Sequence, residues 1–324
     1  MAATTAAATG TPDGAMLPIA GALAPIFLLI LFGQGLRRRA VIPESAWPSL
    51  DRLTYLLFFP CLIVDELTRT DLRALSMGSM GATMAAGIFA GAALALAVRR
   101  PIGLDGPAFT SVFQGAIRPN TYVGLAGAGA LYGSAGLTLT AVGIAVVVPL
   151  VNLLCVTAMV RYGRVADGAA QRSGVGAVVS GILRNPIIIA VAIGAALNLS
   201  GIGRIPVIGD VVGILARAAL PMGLLSVGAG LDLAAARGAG FGVALSSVLK
   251  LLLVPAATAL AGLWLGVDGL PLTIAVLFNA LPCSASSYVL ARQMGGDHAL
   301  VAGIITVQTL ASAATLPLVV ALAG

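Results

Sequence analysis

Apolar runs follow one another along most of the chain, separated by short breaks that carry arginine, glycine or proline. Each run is about 20 residues or more, long enough to cross roughly 30 Å of hydrocarbon as a helix. Such runs leave few folds open. In lipid every backbone N–H and C=O must be satisfied within the chain, so only helices and closed barrels span. A barrel needs strands of about ten residues that alternate apolar and polar, and the Leu, Ala, Val and Gly of these runs do not alternate. Composition agrees: 59% of the 324 residues are hydrophobic and only 9% are charged. A soluble chain carries about 25% charged residues. The expectation is an all-α integral membrane protein.

Ten spans are expected, near 16–36, 49–68, 74–98, 107–131, 136–160, 175–199, 206–231, 239–265, 270–294 and 298–323. Residues 1–15, "MAATTAAATGTPDGA", hold no Lys or Arg, so they are expected to be a short disordered tail rather than a cleaved leader. The polar stretch "RYGRVADGAAQRSG" from Arg161 to Gly174 marks the midpoint and contains an expected linker at 163–174. On either side of it the halves resemble each other. "APIFLLILFGQGL" from Ala24 aligns with "NPIIIAVAIGAAL" from Asn185, matching Pro25 to Pro186 and Gly33 to Gly194 at a shift of 161 residues. The same shift lays "PCLIVDELTRTDL" from Pro60 on "PMGLLSVGAGLDL" from Pro221. The expected domains are therefore two five-helix repeats, 16–162 and 175–324. An odd number of spans per repeat turns the halves into opposite orientations, an architecture of many secondary transporters.

Arginine sets the orientation. The loops after spans 1, 3, 5, 7 and 9 hold Arg37, Arg38, Arg39, Arg99, Arg100, Arg161, Arg164, Arg172, Arg237 and Arg292; the opposite loops hold Arg69, Arg73 and Arg204. The positive-inside rule then puts both termini outside the cytoplasm, in the cytoplasmic (inner) membrane. The net charge of +6 is spread over span ends rather than gathered on one polar domain, so no nucleic acid is expected as a partner.

Two spans carry what a membrane helix should not. In "FQGAIRPNTYVGLAGAG" a charge, a helix breaker and an amide stand together at Arg118, Pro119 and Asn120, near the middle of span 4. Proline removes a hydrogen bond and clashes with the preceding turn, and a broken span is tolerated in lipid where it lines an enclosed cavity. The corresponding span 9, "LFNALPCSASSYVLARQMG", has Pro282 amid Asn279, Cys283, Ser284, Ser286 and Ser287. Two interrupted spans at matching positions of inverted halves point to a substrate site at the midplane. Each second half-helix begins with exposed amides and a partial positive charge, and Arg118 adds a fork suited to a carboxylate. Neither span contains Asp or Glu, which disfavours a carboxylate-built sodium or proton site at the crossing.

These residues resemble a family. "IRPNTYVGLAG", "LKLLLVP", "NALPCSASSYVLA" and the closing "LPLVVALAG", in order from Leu17 to Ala323, are similar to the auxin efflux carriers of plants and the malate and malonate permeases of bacteria. The resemblance implies ten transmembrane helices as a 5+5 inverted repeat with broken, crossed helices 4 and 9, as in sodium/proton antiporters and bile acid symporters. It also implies an elevator mechanism in which spans 1, 2, 6 and 7 form a scaffold while spans 3–5 and 8–10 move. It carries substrate contact onto Asn120 and the second crossing proline onto Pro282. Two departures accompany it: the long central cytoplasmic loop of the plant proteins is absent, and Arg118 directly precedes the proline.

Other polar residues complete the expected site. Tyr122 follows the break; Asn152 in span 5 and Gln308 in span 10 either line the cavity or bridge helices. Lys250, near the centre of span 8, is too deep to reach either interface and is read as a coupling or pairing charge. Asp65 and Glu66 close span 2 as solvated helix ends, as protonatable coupling carboxylates, or as a partner for Arg217 in span 7. His298 is the only histidine, and Cys61, Cys155 and Cys283 form no CxxC pair, so neither a metal nor another cofactor is expected. No phosphate cradle or nucleophile elbow supports an enzyme. The expectation is a carrier of small organic anions, with a uniporter or channel-like facilitator, a differently coupled exchanger and a non-transporting receptor as alternatives. Besides the anion, membrane lipid and a second copy joined through the scaffold helices are the expected partners.

Overall fold

Every element of the structure, a computed structural model that describes residues 12–69, 77–163, 184–238 and 240–323, is helical. In chain order the helices are α1 (Pro12–Arg38), α2 (Trp47–Leu53), α3 (Phe59–Arg69), α4 (Met77–Ile102), α5 (Gly106–Ile117), α6 (Thr121–Tyr162) and α7 (Pro186–Leu199). They continue as α8 (Ile208–Ala229), α9 (Leu233–Arg237), α10 (Phe241–Val248), α11 (Val254–Trp264), α12 (Gly269–Asn279), α13 (Ser286–Met294) and α14 (His298–Ala323). π-helical turns at Thr54–Phe58 and Leu249–Leu253 join α2 to α3 and α10 to α11. Among the described residues, six segments are long and apolar enough to cross a membrane: Met16–Arg38, Gly78–Pro101, Thr121–Tyr162, Ile208–Ala229, Phe241–Trp264 and His298–Ala323. Exposed Leu28, Leu31 and Phe32 on α1 and Leu260, Leu263 and Trp264 on α11 would be costly in water and are at home in lipid. The protein is a multi-pass membrane protein.

The sequence explains several boundaries. Asp105 caps α5 by accepting from the Ala108 N–H at 2.8 Å, and Asn185 caps α7 by accepting from Ile187 and Ile188. Helix α7 starts at Pro186 with Arg184 ahead of it, and residues 175–183 of the span expected from 175 lie outside the described residues. Residues 1–11 of the expected tail and 164–174 of the expected linker lie outside the described residues, and α1 already begins at Pro12. Helix α6 runs for 42 residues, about 63 Å if straight at 1.5 Å per residue. It is not straight: Gly133 takes φ 58° and ψ −143°, which a side chain would forbid. Leu137 then packs over Gly129, and Gly136 meets the Ala128 backbone, so the chain reverses there.

The chain divides into two compact units, each drawn from both halves of the sequence. The first takes α1, α2, α3, residues 122–145 of α6, α7 and α8. Lipid offers no hydrophobic drive for helix association, so small residues that let backbones approach carry the packing. Gly33 of α1 lies against the Leu225 backbone of α8, and Gly228 of α8 lies against the Ile30 backbone of α1. Gly194 of α7 meets Leu67 and Val64 of α3. The α1–α8 and α7–α3 contacts are thus equivalent under the 161-residue shift that matches Gly33 to Gly194. Arg37 fixes the end of α1, holding Glu44 through two hydrogen bonds and donating to the Ala229 carbonyl at 2.6 Å. The second unit takes α4, α5, the rest of α6 from Val146, and α9 to α14.

Candidate functional site

Proline decides the local geometry of the second unit. Pro119 bars the residue before it from the helical region, and Arg118 is accordingly extended at φ −91° and ψ 107°, which ends α5 at Ile117. Pro282 stands likewise between the end of α12 at Asn279 and the start of α13 at Ser286. The two extended stretches meet as a single antiparallel bridge between Pro119 and Cys283. The Asn120 N–H donates to the Pro282 carbonyl at 2.8 Å, and the Ser284 N–H donates to the Arg118 carbonyl at 3.3 Å. Each break thereby satisfies the backbone groups that the other exposes. Helices α5 and α12 end at this crossing with partial negative charge, while α6 and α13 begin there with partial positive charge.

Around the bridge the expected residues fall into distinct roles. The Arg118 Nε donates to the Ser286 Oγ at 3.3 Å, and its Nη1 is buried with no hydrogen-bond partner. Gln308 ties the breaks together: its Oε1 accepts from the Cys283 N–H at 2.8 Å, and its Nε2 donates to the Gly115 carbonyl and the Ser246 Oγ, both at 3.1 Å. Cys283 donates through its thiol to the Ser287 Oγ at 3.2 Å. Asn279 is committed to neighbouring helices, donating to the Met84 carbonyl at 3.0 Å and the Thr258 Oγ1 at 2.8 Å. Lys250 donates to the Asn279 carbonyl at 3.1 Å, at the last residue of α12. Asn152 is half-buried on α6 and makes no hydrogen bond among the described residues.

The remaining expected residues stand in the first unit. Tyr122 stacks on Phe59 with ring centroids 4.5 Å apart, and its hydroxyl donates to Asp51 at 3.4 Å. Glu66 accepts from the Ser134 hydroxyl at 2.6 Å, beside the turn at Gly133. Asp65 pairs with Arg69 at 2.9 Å and Arg204 at 3.5 Å, and Arg204 also holds Asp210 at 2.7 Å. Arg217 lines the same cavity, of about 280 Å³, and the ion pairs of Asp65 among the described residues are those with Arg69 and Arg204. Sequence reasoning missed Arg204, which counted only as a loop charge, and Ser246, which nothing in its own span of small residues marks. Ser286 was visible as one of a serine group, but its contact with Arg118 spans 168 residues. Among the described residues no cluster of His, Cys, Asp and Glu could hold a metal ion.

Comparisons with known proteins bear on the class of protein rather than on these residues. Residues 172–320 match a family model described as "Membrane transport protein". Over that stretch, which is under half of its length, the chain is similar to this family. An uncharacterized transporter of Methanothermobacter thermautotrophicus is 27% identical over 297 residues, 90% of this chain and 94% of the relative. The family match and the relative both support a membrane transporter. The match covers α7 to α14, and with them Lys250, Pro282 and Gln308; Arg118 lies ahead of it.

Proposed function

We propose that the protein is a secondary active carrier of small organic anions, carboxylates above all, working across the cytoplasmic membrane with both termini outside. Its spans form two inverted five-helix repeats. Substrate binds at the crossing of the two broken helices, and the unit containing the crossing moves as an elevator to expose it alternately to either side. The observation that carries this reading is Arg118: a guanidinium set at a helix break, with one donor on Ser286 and a buried Nη1 that has no partner. A buried donor without an acceptor is costly, and a carboxylate would supply the acceptor together with a counter-charge. The amides opening α6 and α13 favour the same charge. Support for the repeat comes from the matching α1–α8 and α7–α3 contacts, and for the solute class from the absence of any Asp or Glu on α5, α12 or α13.

The test is thermal stabilisation of the purified protein by a panel of mono- and dicarboxylates, run beside Arg118→Ala. A subset of carboxylates should raise the melting temperature of the wild type and leave the alanine variant unmoved. Equal stabilisation of both proteins would remove Arg118 from the site.

A further inference from the structure

Lys250 is wholly buried, and its Nζ has one acceptor, the Asn279 carbonyl. It stands in the π-helical turn Leu249–Leu253, which packs against α5, α10, α11 and α14. None of these four helices carries Asp or Glu, and neither do α4 and α12 beside them. The charged or titratable side chains on these six helices are Arg99 and Arg100 in the last turn of α4 and His298 at the first residue of α14. From the crossing itself the titratable group is the Cys283 thiol, whose backbone N–H is tied through Gln308 to Ser246, one turn before Lys250. An ammonium held there has N–H groups left over and no carboxylate to face, which is costly in a buried site. A neutral amine is content with the single carbonyl. The balance turns when an anion arrives, because a nearby opposite charge favours the protonated form. The Pro119–Cys283 bridge and the Gln308 bonds to Cys283 and to Ser246, one turn before Lys250, join the Arg118 break to the turn that holds the amine, and charges brought together in such a low-dielectric site act on each other strongly.

We infer that Lys250 is a proton site coupled to the anion: it takes up a proton when a carboxylate occupies the crossing and releases it when the carboxylate leaves. The step is a simple acid–base exchange. The amine lone pair forms an N–H bond with a proton from hydronium, leaving water, and the reverse returns that proton to water on the other side. The loaded and empty carriers then differ by one anion and one proton. A monocarboxylate moves without net charge, and a dicarboxylate dianion with a single negative charge. This coupling rests on the reading of the crossing as a carboxylate site.

Proteoliposomes loaded with the pH dye pyranine, at clamped membrane potential, separate the two ideas. Labelled malonate or malate is the probe, since a dicarboxylate crosses a bare bilayer slowly. Uptake should bring a protein-dependent acidification of the lumen and should rise as the outer medium is acidified. Lys250→Met keeps most of the side-chain volume without an ionisable group; it should lose the proton entry, and its residual counterflow should no longer depend on pH. Lys250→Arg, permanently charged, should show the same loss and serves where the methionine variant does not fold. Wild-type uptake without proton entry, or acid dependence retained in either folded variant, overturns the proton site and leaves the carboxylate reading standing. Absence of flux with both probes overturns the two together.

Discussion

Arg118 is asked to do two things at once, to break cleanly with Pro119 and to hold a charge in reserve, and its substitutions should separate them. Arg118→Lys keeps the charge but loses the bidentate fork, so carboxylate binding should weaken about tenfold, roughly 1.4 kcal/mol, in a titration of the purified protein. Gln308 has the opposite character. Gln308→Leu would strand the Cys283 N–H and the Gly115 carbonyl in a buried site, at about 1–3 kcal/mol for each. Its melting temperature in detergent should fall even without substrate, whereas Arg118→Ala should melt near the wild type. The contrast also explains what the sequence revealed. Arg118, Pro119 and Asn120 are adjacent, so their conflict with a membrane helix is visible in a single window. Gln308 serves Cys283, Ser246 and Gly115, which lie 25, 62 and 193 residues away, and no local pattern announces that. For Asn279 the neighbour Pro282 is local and legible, but the Met84 carbonyl that its amide reaches, 195 residues away, is not.

At the scale of elements, the close approach of α1 and α8 makes a direct prediction. A side chain at Gly33 would meet the Leu225 backbone, whereas one at Gly35 meets nothing within 4 Å. Gly33→Val should cost about 1–3 kcal/mol, typical of overpacking against backbone that cannot yield, and should lower the melting temperature. Gly35→Val should not; equal losses would show that helix propensity rather than packing decides. The repeat alignment already paired Gly33 with Gly194, and both are close-approach positions. The turn at Gly133 was not legible, because this is one of 41 glycines and its neighbours do not mark the left-handed φ it takes inside a helical run. The π-helical turns were equally hidden: "TYLLF" and "LKLLL" have the same apolar content as the helices around them. Arg217 illustrates the limit of pairing charges by span, since Asp65 found Arg69 one turn away and Arg204 across the cavity instead.

For the whole molecule the proposed cycle requires that the crossing be exposed to each side in turn, and that no sodium ion take part in it. With no Asp or Glu on α5, α12 or α13, replacing sodium by potassium at fixed pH and potential should leave the transport rate nearly unchanged; a steep sodium dependence would contradict it. Cys283 is a poor reporter of the motion, being 0% exposed and bonded to Ser287. Ser286 is exposed beside Arg118, so Ser286→Cys, made with the native cysteines replaced, should label with an impermeant thiol reagent at a rate that substrate alters. The most direct measurement is counterflow in proteoliposomes, with labelled malonate outside and unlabelled malonate inside. Saturable uptake, accelerated by the internal anion and abolished in Arg118→Ala, is the expected result. Flux that rises linearly with concentration and ignores the internal malonate, or an alanine variant that exchanges at the wild-type rate, would contradict a carrier built on Arg118.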